Sequence, residues 1–328
     1  MSPTVTGMSA TTHDTDTELE AYRGELTGYC YRMLGCPVDA QDAVQETMLR
    51  AWRATDSFEG RSSVRTWLYR IATNVCLDSR RADQRRASPM DLGPASPPVL
   101  ESLGPPRPSS EWVLPMPTAQ LGSIGSTDPA QLSIGRDDVR LAFIAALQQL
   151  PPRQRAVLIL CEVLRFSAVE VAGLLDASTA SVTSALQRAR STLAERPAPA
   201  ATELTRDLAG LLARYVAAFE RYDIDALVRL MREDVVMNMP PFPLWLRGPA
   251  DVVAWLVGPG EECRGSRLIP TSANGQPAFG QYRRAPGGGH APWALIVLDI
   301  QGDQFATMSY FLDTQTLFPQ FGLPPTLS

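Results

Sequence analysis

Seven arginines (Arg61, Arg65, Arg70, Arg80, Arg81, Arg85 and Arg86) stand against only Asp78 and Asp83 between positions 61 and 86, in a chain of formal net charge −5. A guanidinium stays charged at any physiological pH and presents a fork of donors, so such a cluster suits phosphate oxygens. A solvated charged face is the alternative. All 30 residues counted as Lys or Arg are arginine, which coding bias explains as readily as selection for bidentate contacts. Upstream, Asp39, Asp42, Gln45 and Glu46 form an exposed acidic and polar face, better suited to a protein partner than to DNA. Acid–base candidates are sparse. Asp223, Asp225, Glu233 and Asp234 read as solvated residues near helix ends, and His290 follows three glycines in an expected surface loop, so no enzyme activity is expected. The five cysteines include no C-x-x-C pair, which argues against a disulfide scaffold or a zinc site and fits a reducing cytoplasm. No metal or other cofactor is expected. The first twenty residues lack a leader pattern and no apolar run reaches about 18 residues, so no membrane segment is expected.

A chain of 328 residues implies two or three cores. Residues 1–17 are read as a disordered tail. Residues 18–86 form a first helical bundle with turns at Gly35-Cys36-Pro37 and Gly60; within it Val64, Leu68, Ile71, Ala72 and Val75 face the core while Arg65, Arg70 and Asn74 lie outside. Residues 87–135, rich in Pro, Gly and Ser, read as an extended or disordered tether. One island in it, "WVLPMP", is too apolar for plain linker, and Trp112, Pro115 and Pro117 are candidates for docking on another domain. Residues 136–196 form a second bundle. Ser167 and Ser178 are good N-caps, and the tight turn Leu174 to Ala177 between two short helices reads as a helix-turn-helix. After the Arg196 to Ala201 joint, residues 202–328 give a helix with Leu204, Leu208, Leu211, Tyr215 and Phe219 on one face. Strand-length segments follow, with a hairpin turn at Gln301-Gly302-Asp303. The expected fold class is therefore multidomain: two all-α bundles followed by an α+β domain with a mainly antiparallel sheet.

Two motif sets in order, "DAQDAVQETMLRAW" with "FEGRSSVRTWLYRIATN", then "LPPRQRAVLIL", "SAVEVAGLL" and "ASVTSALQRAR", resemble regions two and four of extracytoplasmic-function (ECF) RNA polymerase sigma factors. The resemblance implies that the helix of Asp39, Asp42, Gln45 and Glu46 docks on the clamp helices of the polymerase largest subunit. It implies a recognition helix from Ser178 to Arg190 that reads the minus-35 element as duplex DNA. Thr183, Ser184, Gln187 and Arg188 would share its outward face, Ser178, Thr179 and Ser181 its start, and Arg188 and Arg190 would meet phosphate or guanine. At minus-10 a base is captured outside the stack; Phe58, Ser62, Ser63 and Asn74 match the specificity loop and its following helix, with Arg61, Arg65 and Arg70 nearby. Trp67 and Tyr69 read instead as buried or half-buried helix aromatics. Asp176 occupies a turn position where the family often has Gly, and Asp tolerates the left-handed conformation.

The segments "LLARYVAAFERYDIDALVRLMREDVVMNMPPFPLWLRG", "LIPTSANGQPAFGQYRR" and "LFPQFGLP" resemble a SnoaL-like domain of the ketosteroid-isomerase type, as in the SigG-type ECF subgroup. That implies a cone of curved sheet closed by helices around an apolar pocket. Met237, Met239, Phe242, Trp245, Trp255 and Phe279 are candidates to line it, and equally candidates for plain core. The implied function is a sigma factor that binds core RNA polymerase and promoter DNA, regulated in cis by contact of the C-terminal domain with the sigma domains, with a small-molecule ligand as a candidate occupant of the pocket. The alternative is a ligand-sensing one-component regulator using only the helix-turn-helix and the pocket. The acidic and aromatic signature of the first bundle argues against it.

Overall fold

A computed structural model describes residues 19–58, 60, 62–79, 85–121, 139–195 and 207–328. The tail 1–17, Arg61, Arg80, Arg81, linker residues 122–135, the Arg196 to Ala201 joint and Leu204 lie outside the described residues. The chain divides into two compact units. The first comprises Met1–Gln84, Ala119–Val139 and Ala146–Arg196, the second Arg85–Thr118, Arg140–Ala145 and Pro197–Ser328.

The first unit holds α1 (Arg23–Leu34), α2 (Pro37–Ala54) and α3 (Val64–Asp78) together with the end of α4 (Leu141–Gln148), α5 (Pro152–Leu158), α6 (Ala168–Leu174) and α7 (Thr179–Ala194). Local chemistry sets most boundaries. Gly35 ends α1 at φ 69°, and Pro37 opens α2, where its missing N–H costs nothing. Ser63 caps α3 through the Thr66 N–H at 3.1 Å, and Ser178 caps α7 through the Ser181 N–H at 3.2 Å. Ser167 and Glu170 form a reciprocal capping box at the start of α6. Ser167→Ala should therefore lower thermal stability of the first unit by about 1 kcal/mol, read as a shift in melting temperature. Asp176 does adopt the left-handed conformation, at φ 46°.

The two helical bundles pack into this one unit. The Tyr69 ring meets Phe166 edge-on at 5.4 Å. Arg155, 3% exposed, donates to the carbonyls of Leu147 and Leu150 and reaches that of Met33 on α1. A buried guanidinium is tolerated here because its N–H groups find acceptors.

The second unit contains α8 (Leu208–Arg221), α9 (Ile224–Val228), β1 (Met231–Asn238), β2 (Trp245–Arg247), α10 (Gly248–Val257), β3 (Arg267–Ala273), β4 (Gln276–Arg284), β5 (His290–Gln301), β6 (Gln304–Phe311) and α11 (Thr314–Gln320). One six-stranded sheet runs in the order β2-β1-β6-β5-β4-β3. Only the β1–β6 pair is parallel; the others are antiparallel, and the expected hairpin joins β5 to β6 through Gly302 at φ 62°. The α8 face of Leu211, Tyr215 and Phe219 packs with Val235, Phe279, Ile296 and Phe305 to form the core. Glu233 and Asp234 lie on β1 rather than near helix ends, and His290 begins β5 rather than sitting in a surface loop. The His290 backbone pairs with Leu327 in both directions, at 2.8 and 2.9 Å.

The expected tether takes a different course between Arg85 and Thr118, which belongs to the second unit. Trp112 is 1% exposed and Met116 fully buried, and Pro115 and Pro117 are buried too. Pro117 bridges Ala273 in antiparallel sense. Met116 donates its N–H to Asn274 Oδ1 at 2.9 Å and accepts from Asn274 N at 3.0 Å. Arg86, expected on a basic surface, is 3% exposed and donates to the carbonyls of Ser109 and Trp112 at 3.0 and 2.8 Å. Proline explains why a coil-like composition can pack this way: it carries no N–H to satisfy, and its fixed φ lowers the entropy lost on ordering.

Candidate polymerase, promoter and ligand surfaces

On α2, Asp42 and Gln45 are exposed and Glu46 is half-exposed, whereas Asp39 is only 6% exposed. The expected acidic face thus loses Asp39, which helix phase turns inward beside Ala40 and Ala43. Glu46 is held by Arg50 at 2.7 Å, and Asp42 is the more exposed of the two carboxylates. The face has an apolar component that the acidic pattern hides. Val38, Leu49 and Trp52 are 38%, 42% and 58% exposed, and with Asp42 and Gln45 they form one stripe at heptad spacing along α2. A stripe of that period is what a facing helix needs to pack knobs into holes. It was visible in the sequence as a second apolar phase along α2, but was masked by the charges between.

The residues expected at minus-10 divide. Ser62, Asn74 and Arg70 are exposed, the latter two one helical turn apart on α3. Ser63, also exposed, spends its hydroxyl as the α3 cap, and Phe58 rests on Trp67 with ring centroids 4.8 Å apart. Trp67 is half-buried and Tyr69 buried, matching their reading as helix aromatics. Arg65, expected outside, is half-buried instead. Its Nε donates to Glu25 at 2.8 Å, and its guanidinium lies over the Tyr69 and Phe166 rings at 5.1 and 4.7 Å. The carboxylate holding it is forty positions away, beyond the reach of helical periodicity. The Arg70 guanidinium meets Asp176 at 3.2 Å, with the two side chains 50% and 76% exposed. Such a solvated pair contributes at most about 1 kcal/mol.

Along α7, Ser178, Thr179, Ser181, Thr183, Ser184, Gln187, Arg188 and Arg190 are all exposed, while Val182, Ala185 and Ala189 are buried against the unit. Ser178 is also the cap, and Arg190 pairs with Glu162 through Nε at 3.1 Å. Thr183, Ser184, Gln187 and Arg188 remain together on one outward face, a mixture of hydroxyl, amide and guanidinium that can read base edges.

The second unit encloses a cavity of about 280 Å³. Met237, Met239, Phe242 and Trp255 line it as expected; Trp245 and Phe279 do not. The Trp245 indole instead donates to Gly93 O at 3.0 Å, and Phe279 packs on Tyr215 in the core. The titratable groups in the wall are Glu262, Cys263, Arg283 and Tyr310. Burial raises the Tyr310 hydroxyl well above its ordinary range. Nearby, burial pushes Tyr222 up to about 12, so it stays a neutral donor to Leu256 O and Gly260 O. His290 is not in the wall; its Nε2 meets Gly265 O at 3.1 Å. Asp223 caps α9. Among the described residues no three His, Cys, Asp or Glu side chains gather as metal ligands, and no helix is long and apolar enough to cross a membrane.

Three family models match the chain: Sigma-70 region 2 over residues 19–86, Sigma-70 region 4 over 140–193, and SnoaL-like domain over 212–306. The chain is 45% identical over 325 residues to the ECF RNA polymerase sigma factor SigG of Mycobacterium tuberculosis H37Rv, covering 96% of this chain and 85% of that one. It is 27% identical over 247 residues to SigJ of the same strain, covering 74% and 72%. The crystal structure of M. tuberculosis SigJ superposes with a TM-score of 0.62 at 21% identity, covering 94% of this chain and 99% of that one, a likeness of fold.

Proposed function

The chain belongs to the ECF RNA polymerase sigma factors, and from that premise we propose how its surfaces divide the work. The α2 stripe of Val38, Asp42, Gln45, Leu49 and Trp52 takes the clamp helices of core polymerase. Asn74, with Ser62 and the Phe58 ring, receives the captured minus-10 base, and Arg70 attracts the backbone. The outward face of α7 reads minus-35 through Thr183, Ser184, Gln187 and Arg188. These steps take place in the cytoplasm, where core polymerase works. The observation that carries the reading is the exposed apolar and acidic stripe on α2, because a one-component regulator working through its helix-turn-helix alone would have no use for it.

The C-terminal unit acts in this reading as a regulator in cis rather than as an enzyme. Both ends of the connection between the promoter-reading bundles are gripped by it: Trp112 to Pro117, to which Arg86 is bonded in turn, at one end, and Arg140 on the buried carboxylate of Asp299 at the other. Gripping both ends limits how far the bundles can separate on a promoter. Run-off transcription with core polymerase on a genomic promoter library tests the assignment. Asn74→Ala should lose discrimination at one minus-10 base, and Arg188→Ala should weaken minus-35 use, each by about 1–3 kcal/mol, or roughly 5- to 150-fold. Specific duplex binding without polymerase, and no transcript with it, would favour the one-component reading.

A further inference from the structure

Promoter recognition makes no use of the 280 Å³ cavity in the second unit. Its wall is aromatic and apolar, including Phe219, Met237, Trp255 and Trp293, and Leu103 of the linker turn Leu100–Leu103 closes one side. One cation interrupts that wall. The Arg283 guanidinium lies over Trp293, 3.3 Å from the ring centroid, with its side chain 15% exposed. Its partners are poor for a charge so placed. Glu262, at 3.0 Å, is 83% exposed and therefore largely solvated; the Cys263 sulfur, at 3.1 Å, is a weak acceptor; Nε is buried without any. A guanidinium cannot escape this cost by losing its proton, so the favourable outcome is an anion brought to it.

We propose that this cavity binds a planar aromatic carboxylate of about two fused rings, with the rings between Trp255, Met237 and Leu103 and the carboxylate on Arg283. Size supports two rings, since a dry cavity of about 150 Å³ accommodates benzene and this one is nearly twice that. Flat aromatic faces and thioethers favour a π-system over an aliphatic chain. The wall presents a cation and no buried carboxylate, so a cationic analogue is rejected. Because Leu103 belongs to the linker, the occupant touches the segment that joins the two promoter-reading bundles.

The test uses the full-length protein and three probes of equal shape: 2-naphthoate, neutral 2-methylnaphthalene and cationic 2-naphthylmethylamine. Binding is followed by calorimetry and by quenching of tryptophan fluorescence. Naphthoate should bind one site, at least about tenfold tighter than the amine. Arg283→Gln should reduce naphthoate to the level of the neutral probe and leave that probe unchanged, while Arg283→Lys restores part of the preference. Leu103→Trp, which fills the cavity from the linker side, should abolish binding of all three. Absence of saturable naphthoate binding, equal binding of the amine, or naphthoate binding indifferent to Leu103→Trp would each overturn the proposal. If Arg283→Gln melts early, the Leu103→Trp result decides.

Discussion

A double variant, Asp42→Arg with Trp52→Ala, should fail to form holoenzyme with core polymerase while melting at the same temperature as the parent protein. Trp52 is 58% exposed in the free protein, so its removal leaves no internal cavity. Against a partner helix it has the profile of an anchor, a large aromatic at the end of an exposed stripe whose truncation typically costs about 2–4 kcal/mol, roughly 30- to 700-fold in affinity. Asp42 adds the sign of the charge. Reversing it sets a cation where the acidic stripe would meet its partner, and like-charge contact in an interface costs several kcal/mol. Glu46 should matter less, because Arg50 already engages it at 2.7 Å. Electrophoretic mobility or anisotropy of labelled protein with core polymerase reads the result. Core binding that survives the double change would remove α2 from the interface.

Capping is local, and Ser167 and Ser178 each cap the helix their spacing indicates, as Ser63, read only as a promoter-loop residue, does for α3. Alternation is local too, so β1, β3, β4, β5 and β6 lie where apolar strand-length runs stand. By contrast β2 and α10 were not legible: "WLRGPADVVAWLV" is apolar with no decisive period, and only its neighbours in the fold divide it into strand and helix. The fates of individual arginines were equally hidden. Arg65 turns inward because Glu25 and two aromatic rings await it, and Arg86 because the linker doubles back to offer it two carbonyls. Net charge over a segment says that phosphate is attractive, yet it cannot say which guanidinium is already engaged. Of the residues proposed to face the promoter, the outward placement of Asn74 and the α7 set was legible because they lie on the polar phase of amphipathic helices. The cavity lining was only half legible, since Arg283 and Leu103 reach it from a strand and a linker far apart in sequence.

Trp112→Ala should release the linker from the C-terminal unit and raise transcription from a cognate promoter, in the direction also expected of truncation after Glu195. The indole is 1% exposed, and its alanine variant loses the transfer energy of a large aromatic and gains a cavity, together about 3–5 kcal/mol. The segment is also attached by the Met116–Asn274 pair, the Thr118 hydroxyl accepting from Gly275 N at 3.0 Å, Ser96 N and Arg107 N donating to Trp245 O and Pro241 O at 2.8 and 2.9 Å, and the Trp245 indole donating to Gly93 O. A loss of that size is comparable to what these bonds contribute together, at about 1 kcal/mol each, so the linker should open locally far more often while the sheet beneath stays folded. Hydrogen exchange separates local opening from global unfolding, with faster exchange confined to residues 85–118 in the first case. Arg140→Ala frees the other end of the connection and leaves Asp299 buried without its ion pair, so it should raise transcription in the same direction with a larger loss of stability. The two effects couple if the unit works by limiting separation of the bundles, since releasing either end already removes the constraint, and the double variant should then gain less than the sum of the singles. Strict additivity, or unchanged transcription in the truncated protein, would mean that the C-terminal unit does not act through the linker it holds.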